Sequence, residues 1–141
     1  MRVDWAIPCR YVEVQQSGGA TLVGAGADLI AVPQLPTPVQ VTFAVRFVGD
    51  PDELDGHTTH PIVTRLFDTD GNLRGEQRID MEATSSQVVR GFAAELIVPV
   101  GIVIDAQVEG TYSVEFEIDG HTPKRVPVHV VTAETLRRAS A

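Results

Sequence analysis

The sequence predicts an all-β fold: a single antiparallel β-sandwich of about eight strands, immunoglobulin-like or similar, with a small β-barrel as the alternative. Three observations predict it. In residues 110–120, Tyr112, Val114, Phe116 and Ile118 alternate with Ser113, Glu115, Glu117 and Asp119. That period of two is what a half-buried strand requires, and Asp119-Gly120 supplies the turn after it. Val39, Val41, Phe43, Val45 and Phe47 alternate in the same way with Gln40, Thr42, Ala44 and Arg46. Turn signals recur about every 8–12 residues, and no segment sustains the 3.6-residue spacing of an amphipathic helix.

The elements follow in order. Residues 3–14 read as a strand pair or one bent strand, interrupted at Pro8, and Ser17-Gly18-Gly19 reads as a turn. Residues 21–32 supply a second strand in which Gly24 and Gly26 predict a bulge or close backbone approach. Pro33, Pro36 and Pro38 then predict a stiff crossover into the strong strand at 39–47. The polar, acidic stretch 49–60 reads as a long exposed loop. Residues 62–67 form a strand whose inward face periodicity leaves open, and 68–72 (DTDGN) make a hairpin turn. The return strand, 73–83, sets Ile79 and Met81 against Arg78, Asp80 and Glu82. Residues 84–87 read as a loop, and 88–98 as a strand with Phe92, Ala94, Leu96 and Val98 on one side. Pro99 and Gly101 predict a bend before a short strand at 102–104; the Tyr112 strand and a last strand near 125–131 follow. Residues 1–131 make one sandwich domain, and 132–141 a tail that is frayed or a short helix, with no apolar stripe to dock it.

Composition narrows the function classes. A chain of 141 residues suits one domain and buries enough surface for a core without staples. Its net charge of −8, with scattered basic residues, argues against nucleic acid, which needs clustered Lys and Arg. No apolar run approaches membrane-spanning length, and the N-terminus shows no apolar leader, so the expected setting is cytoplasmic, with no membrane partner. Ten arginines to one lysine, Lys124, hint at a GC-rich bacterial genome. Cys9 is the only cysteine, which forbids an intrachain disulfide, and its strand-like surroundings predict a buried, inert thiol.

Several constellations bear on chemistry. Asp68, Asp70 and Asn72 have the D-x-D-x-N opening of a calcium loop, but Gly71 falls at the fourth position and Ile79 stands at the twelfth, where an EF-hand needs Gly at the sixth and Glu at the twelfth. The residues serve a hairpin instead, with Asp70-Gly71 turning it and Asp68 capping it. Asp50, Asp52, Glu53 and Asp55 read as a solvated acidic loop that, with Asp68 and Asp70, could form one cation-binding end of the sandwich. His57 and His60 make an H-x-x-H without a third zinc ligand nearby. None of Ser17, Ser85, Ser86, Ser113 or Ser140 sits in a nucleophile elbow, and the glycine pairs lack the helix and lysine of a phosphate loop. Tyr112 reads as a corner tyrosine or an amphipathic core residue. Trp5 reads as packing over an open end, or as an interface anchor. Catalytic, cofactor and metal residues are therefore none, and no cofactor is expected.

The runs at Val3-Asp4-Trp5-Ala6, Leu22-Val23-Gly24-Ala25-Gly26, Leu66-Phe67-Asp68-Thr69-Asp70-Gly71 and Gly110-x-Tyr112-x-Val114-Glu115 through Asp119-Gly120 together resemble an uncharacterised bacterial family of small stand-alone β-sandwich proteins, a domain of unknown function. The resemblance covers most of residues 1–131 and implies a fold and a single-domain habit, but no activity. The expected function is a non-enzymatic module that binds protein, its own copies or a partner, through an edge strand. The last strand, with Pro127, and the opening strand, with Pro8, are the candidate edges. The alternatives are a cation or small-ligand sensor using the acidic loops, and an unrecognised enzyme.

Overall fold

The structure, a computed structural model, describes residues 1–16, 19–84 and 94–141. Ten strands and one helix follow one another: β1 (Arg2–Cys9), β2 (Tyr11–Val14), β3 (Ala20–Val23), β4 (Leu29–Val32), β5 (Thr37–Gly49), β6 (Asp55–Phe67), β7 (Leu73–Thr84), β8 (Ala94–Ala106), β9 (Gly110–Ile118), β10 (Lys124–Thr132) and α1 (Ala133–Ala139). One sheet has the order β1-β5-β8, the facing sheet β4-β10-β9-β6-β7, and β2-β3 is a separate hairpin. The sandwich is as the alternation implies, and neither sheet closes into a barrel. All pairings are antiparallel except β4 with β10, so the larger sheet is mixed.

The core lies where the two alternating strands meet. Val39, Val41, Phe43, Val45 and Phe47 of β5 are buried, as are Tyr112, Val114, Phe116 and Ile118 of β9. Phe43 and Phe116 join the sheets edge to face, with ring centroids 5.1 Å apart. Each such side chain contributes about 1.5–3 kcal/mol by leaving water. Asp119 (φ 54) and Gly120 (φ 69) turn β9 into β10, and the His121 N–H donates to the Ile118 carbonyl at 3.0 Å. Two consecutive positive φ values define the hairpin turn that matches strand twist.

Four expectations change. The single strand expected over residues 21–32 is split: Gly24 to Gly26 form a turn between β3 and β4, and the close backbone approach read there is present, the Gly26 N–H donating to the Pro8 carbonyl. Pro38 lies inside β5, opposite Asp105, so the crossover contains only Pro33 and Pro36. Pro99 and Gly101 do not bend the chain: β8 pairs with β5 from Ala94 to Ala106 without a register shift. A strand at a sheet edge keeps one side free, and a proline can turn its missing donor that way. Residues 49–60 are not an exposed loop. They fold into a 3₁₀ turn (Pro51–Leu54) and the start of β6, burying Leu54 and His60.

The structure also settles the inward face of β6. His60, Ile62 and Thr64 are buried and Leu66 packs against the core, while Arg65 stands on the outer face. Two polar residues among four inward positions hid the alternation. The tail is a helix, capped by Thr132 accepting from the Thr135 N–H. The 17–19 turn, the 84–87 loop and the strand reading around Val88 and Phe92 fall wholly or partly outside the described residues. None of the helices among the described residues is long and apolar enough to cross a membrane.

Candidate functional site: a free sheet edge beside a groove

The acidic loops nominated from sequence are far apart. The 49–55 connection enters β6 and the 68–72 hairpin leaves it, so a thirteen-residue strand separates them, roughly 35–40 Å at 3.3 Å per residue. They cannot form one end of the sandwich. Asp68 is consumed within its own turn: Oδ1 accepts from the Asp70 and Asn72 N–H groups, each at 2.9 Å, and Oδ2 from Arg74 at 2.5 Å. The Asn72 N–H first, then Arg74, hold its carboxyl below the ordinary aspartate range. Asp55 accepts from the His57 and Thr58 N–H groups. His57 is exposed and His60 buried, so the pair does not converge. Among the described residues no three His, Cys, Asp or Glu side chains are grouped to hold a metal ion.

Glu53 and His60 instead belong to a cluster that sequence spacing does not show. The Met1 amine lies 2.5 Å from Glu53 Oε1 and 2.9 Å from Asp119 Oδ2. His60 Nδ1 faces Asp119 Oδ2 at 2.9 Å, and Nε2 faces the Glu53 carbonyl at 2.5 Å. Burial opposes the charge on the amine, yet its bonds to Glu53 and Asp119 hold its pKa above the usual value. Burial likewise works against the Asp119 carboxylate, but bonds from the amine and His60 outweigh it and hold the pKa low. The bond from the amine lowers Glu53 in the same way. Each member bonds another, and the second Glu53 oxygen accepts from the Asp50 N–H, which makes the cluster a clasp. A clue existed: His60 has the same strand parity as Ile62, Thr64 and Leu66.

The remaining nominees are structural. Tyr112 donates its hydroxyl to the Val108 carbonyl at 2.9 Å, as a corner tyrosine does. Cys9 is buried, its thiol directed at the Ile7 carbonyl. Trp5 is half-buried on β1 beside a register shift. A hollow of about 740 Å³ between β4 and β5 is lined by Cys9, Arg10 and Leu136 among others, with no carboxylate or histidine among its described lining residues.

The edge strands differ sharply in protection. β10 is not an edge: it lies between β9 and β4, although β4 covers only His129–Thr132 and leaves Pro127 uncovered. β4 is an edge four residues long. β1 is an edge, as Pro8 suggests, and carries Arg2, Asp4 and a bulge. β7 is an edge lined by Arg74, Glu76, Arg78, Asp80 and Glu82. Short length, charge and bulges are the devices that keep sheet edges from pairing. β8, the remaining edge, reads LIVPVGIVI over residues 96–104, without a charge. Sequence reasoning missed it because Pro99 and Gly101 broke it in two. Val103 on this strand is 62% exposed.

Between β8 and the β6–β7 pair lies a groove with two lobes. One, of about 580 Å³, is lined by Leu66, Asp70, Asp105, Val108 and Tyr112 among others. The second, of about 340 Å³, reaches Thr64, Gln77, Gly101 and Ile102. Both share Leu66, Gly75 and Val103 in their walls. A Cβ added at Gly75 or Gly101 would meet nothing within 4 Å.

Comparison with known proteins adds the family. The family of unknown function DUF6941 matches residues 4–131. The chain belongs to that family. The match covers both sheets and stops short of α1, in line with the sequence resemblance. No curated protein and no solved structure matches the DUF6941 chain.

Proposed function

We propose that this DUF6941 member is a non-enzymatic protein-binding module that takes a partner's strand on the free edge of β8. One observation carries the reading: β8 is a long edge with no charge from residue 96 to 104, between Glu95 and Asp105, while every other edge among the described residues is short, bulged or charged along its length. Strand addition draws affinity from backbone hydrogen bonds and specificity from side-chain pockets beside the edge, and the groove supplies the latter. The clasp and the hairpin cap use their charged groups internally, which supports a binding role over a catalytic one.

The test is capture of partners from source-cell lysate on the wild-type chain and on Val103→Lys, followed by hydrogen–deuterium exchange on the reconstituted complex. A stoichiometric partner that protects β8 amides and is lost on Val103→Lys supports the reading. A partner retained by Val103→Lys, or protection confined to β1 or β7, overturns it.

A further inference from the structure

The chemistry of the β8 edge and its groove points to a particular kind of occupant, an inference that rests on the binding reading above. Pro99 has no N–H, so it is tolerated in a paired strand when its nitrogen faces away from the ladder. With alternation, Gly101, Val103 and Asp105 then turn their N–H and C=O groups to the free edge as well. Gly101 and, across the groove, Gly75 leave open space where side chains would otherwise stand. Glycine within a strand marks a bulge or a place where another backbone comes close; Gly75 stands at a register shift of β7, whereas β8 pairs through Gly101 without one.

Charge then selects among occupants. Asp70 and Asp105 line the same lobe, and neither has an ion-pair partner among the described residues. The nearby Arg74 is taken by Asp68, and Glu76 by Arg65. The lobe thus presents two uncompensated carboxylates at the C-terminal end of the free edge. A second copy of the chain fits poorly. In a two-fold antiparallel β8–β8 pair centred on Val100, Asp105 of each copy falls opposite Glu95 of the other. Like charges directly opposite destabilise a strand pair, and each copy also carries a net charge of −8.

We propose that the groove binds an extended, basic polypeptide segment whose backbone pairs with β8 at Gly101, Val103 and Asp105. Its alternate apolar side chains lie in the groove beside Leu66 and Val108, and a Lys or Arg lies against Asp70 and Asp105.

The probe is a displayed library of random twelve-residue peptides, selected on the immobilised full chain. Enriched peptides are expected to alternate apolar residues and to carry Lys or Arg at one end. They should lose at least tenfold in affinity on Val103→Lys, whose fold is checked by circular dichroism and melting. On the Asp70→Asn, Asp105→Asn double variant, Lys-bearing peptides should weaken by about tenfold relative to their Gln-substituted versions, with β8 pairing intact. Enriched peptides that need β8 but show no basic preference, or keep it in the double variant, overturn the inference and leave the binding reading standing. No enrichment, or enrichment insensitive to Val103→Lys, overturns both. A concentration-dependent dimer by sedimentation that Val103→Lys dissolves assigns the edge to a second copy and likewise overturns the inference.

Discussion

His60 Nδ1 and Asp119 Oδ2 meet at 2.9 Å across 59 positions of sequence. The contact ties the β5–β6 connection to the β9–β10 hairpin, because Asp119 holds a turn and the other ring nitrogen of His60 faces the Glu53 carbonyl. The Met1 amine closes the arrangement by bonding Glu53 and Asp119 together. Two connections and the Met1 amine, separate in sequence, are thereby fixed at one end of the sandwich.

Breaking this clasp is expected to cost stability in proportion to what is removed. His60→Ala removes the ring's contacts with Asp119 and the Glu53 carbonyl and leaves a void at a buried position, for a loss of about 2–4 kcal/mol. Asp119→Asn is gentler, because asparagine also accepts the positive φ and the turn survives; the loss is about 1–2 kcal/mol. Urea denaturation with an unchanged slope reads both. An Asp119→Asn midpoint equal to wild type would show that the carboxylate contributes nothing.

The same cluster fixes a pH profile. Glu53 and Asp119 have lowered pKa values in the folded state. Their contribution is present above the unfolded values of about 4.3 and 3.9, and is lost as pH falls through the lower folded values. The Met1 amine is raised, so its contribution is complete below the unfolded value of about 8 and disappears as pH rises through the folded value. Thermal melting should therefore show a plateau between about pH 5 and 7.5, with an acid and an alkaline limb. Acetylating the amine isolates the second effect: stability should drop on the plateau, and the alkaline limb should flatten. An alkaline limb unchanged by acetylation would rule the amine out as its source.

Tyr112 and Phe116 separate polar from apolar contributions on one strand. Tyr112→Phe removes the bond to the Val108 carbonyl and the longer one accepted from the Val108 N–H, and should cost about 0.5–1.5 kcal/mol. Phe116→Ala vacates a fully buried site against Phe43, and should cost about 3–5 kcal/mol. Denaturation midpoints of the two variants check the ordering, and equal costs would contradict the corner role given to the hydroxyl.

The parts of the fold legible in the sequence were those in which side-chain parity and burial coincide. β5 and β9 show it plainly, since every inward residue is apolar, and Asp119-Gly120 marks the turn that follows. β6 conceals it, because His60 and Thr64 face inward, and His60 meets Asp119 and the Glu53 carbonyl, brought there from elsewhere in the chain. β8 was obscured for a different reason. Proline and glycine signal breaks in a central strand, whereas an edge strand tolerates both, and edge position is a property of the assembled sheet. The clasp depends on Met1, Glu53, His60 and Asp119 meeting from the chain start, two connections and β6, and no local spacing encodes that meeting.

Gly75 and Gly110 provide the sharpest contrast between a glycine kept for folding and one kept open for another purpose. Gly110 has φ 144, and a Cβ there would lie 2.8 Å from Thr69 Cγ2. Gly110→Ala must strain the backbone and displace the hairpin beside it, with an expected loss of about 1–3 kcal/mol. Gly75 has ordinary φ and open space around it. Gly75→Ala should therefore leave stability unchanged or raise it by about 0.4–1 kcal/mol, since alanine restricts the unfolded chain and fits a strand better. Gly75 stands at a register shift between β6 and β7, which is one reason for glycine there, and an incoming backbone in the groove is a second. The measurement is a paired one, melting temperature and affinity for a library-selected peptide on the same variant. Gly75→Ala should melt no lower than wild type and bind more weakly. A variant that melts lower while binding equally well would make Gly75 a folding residue and remove it from the groove argument.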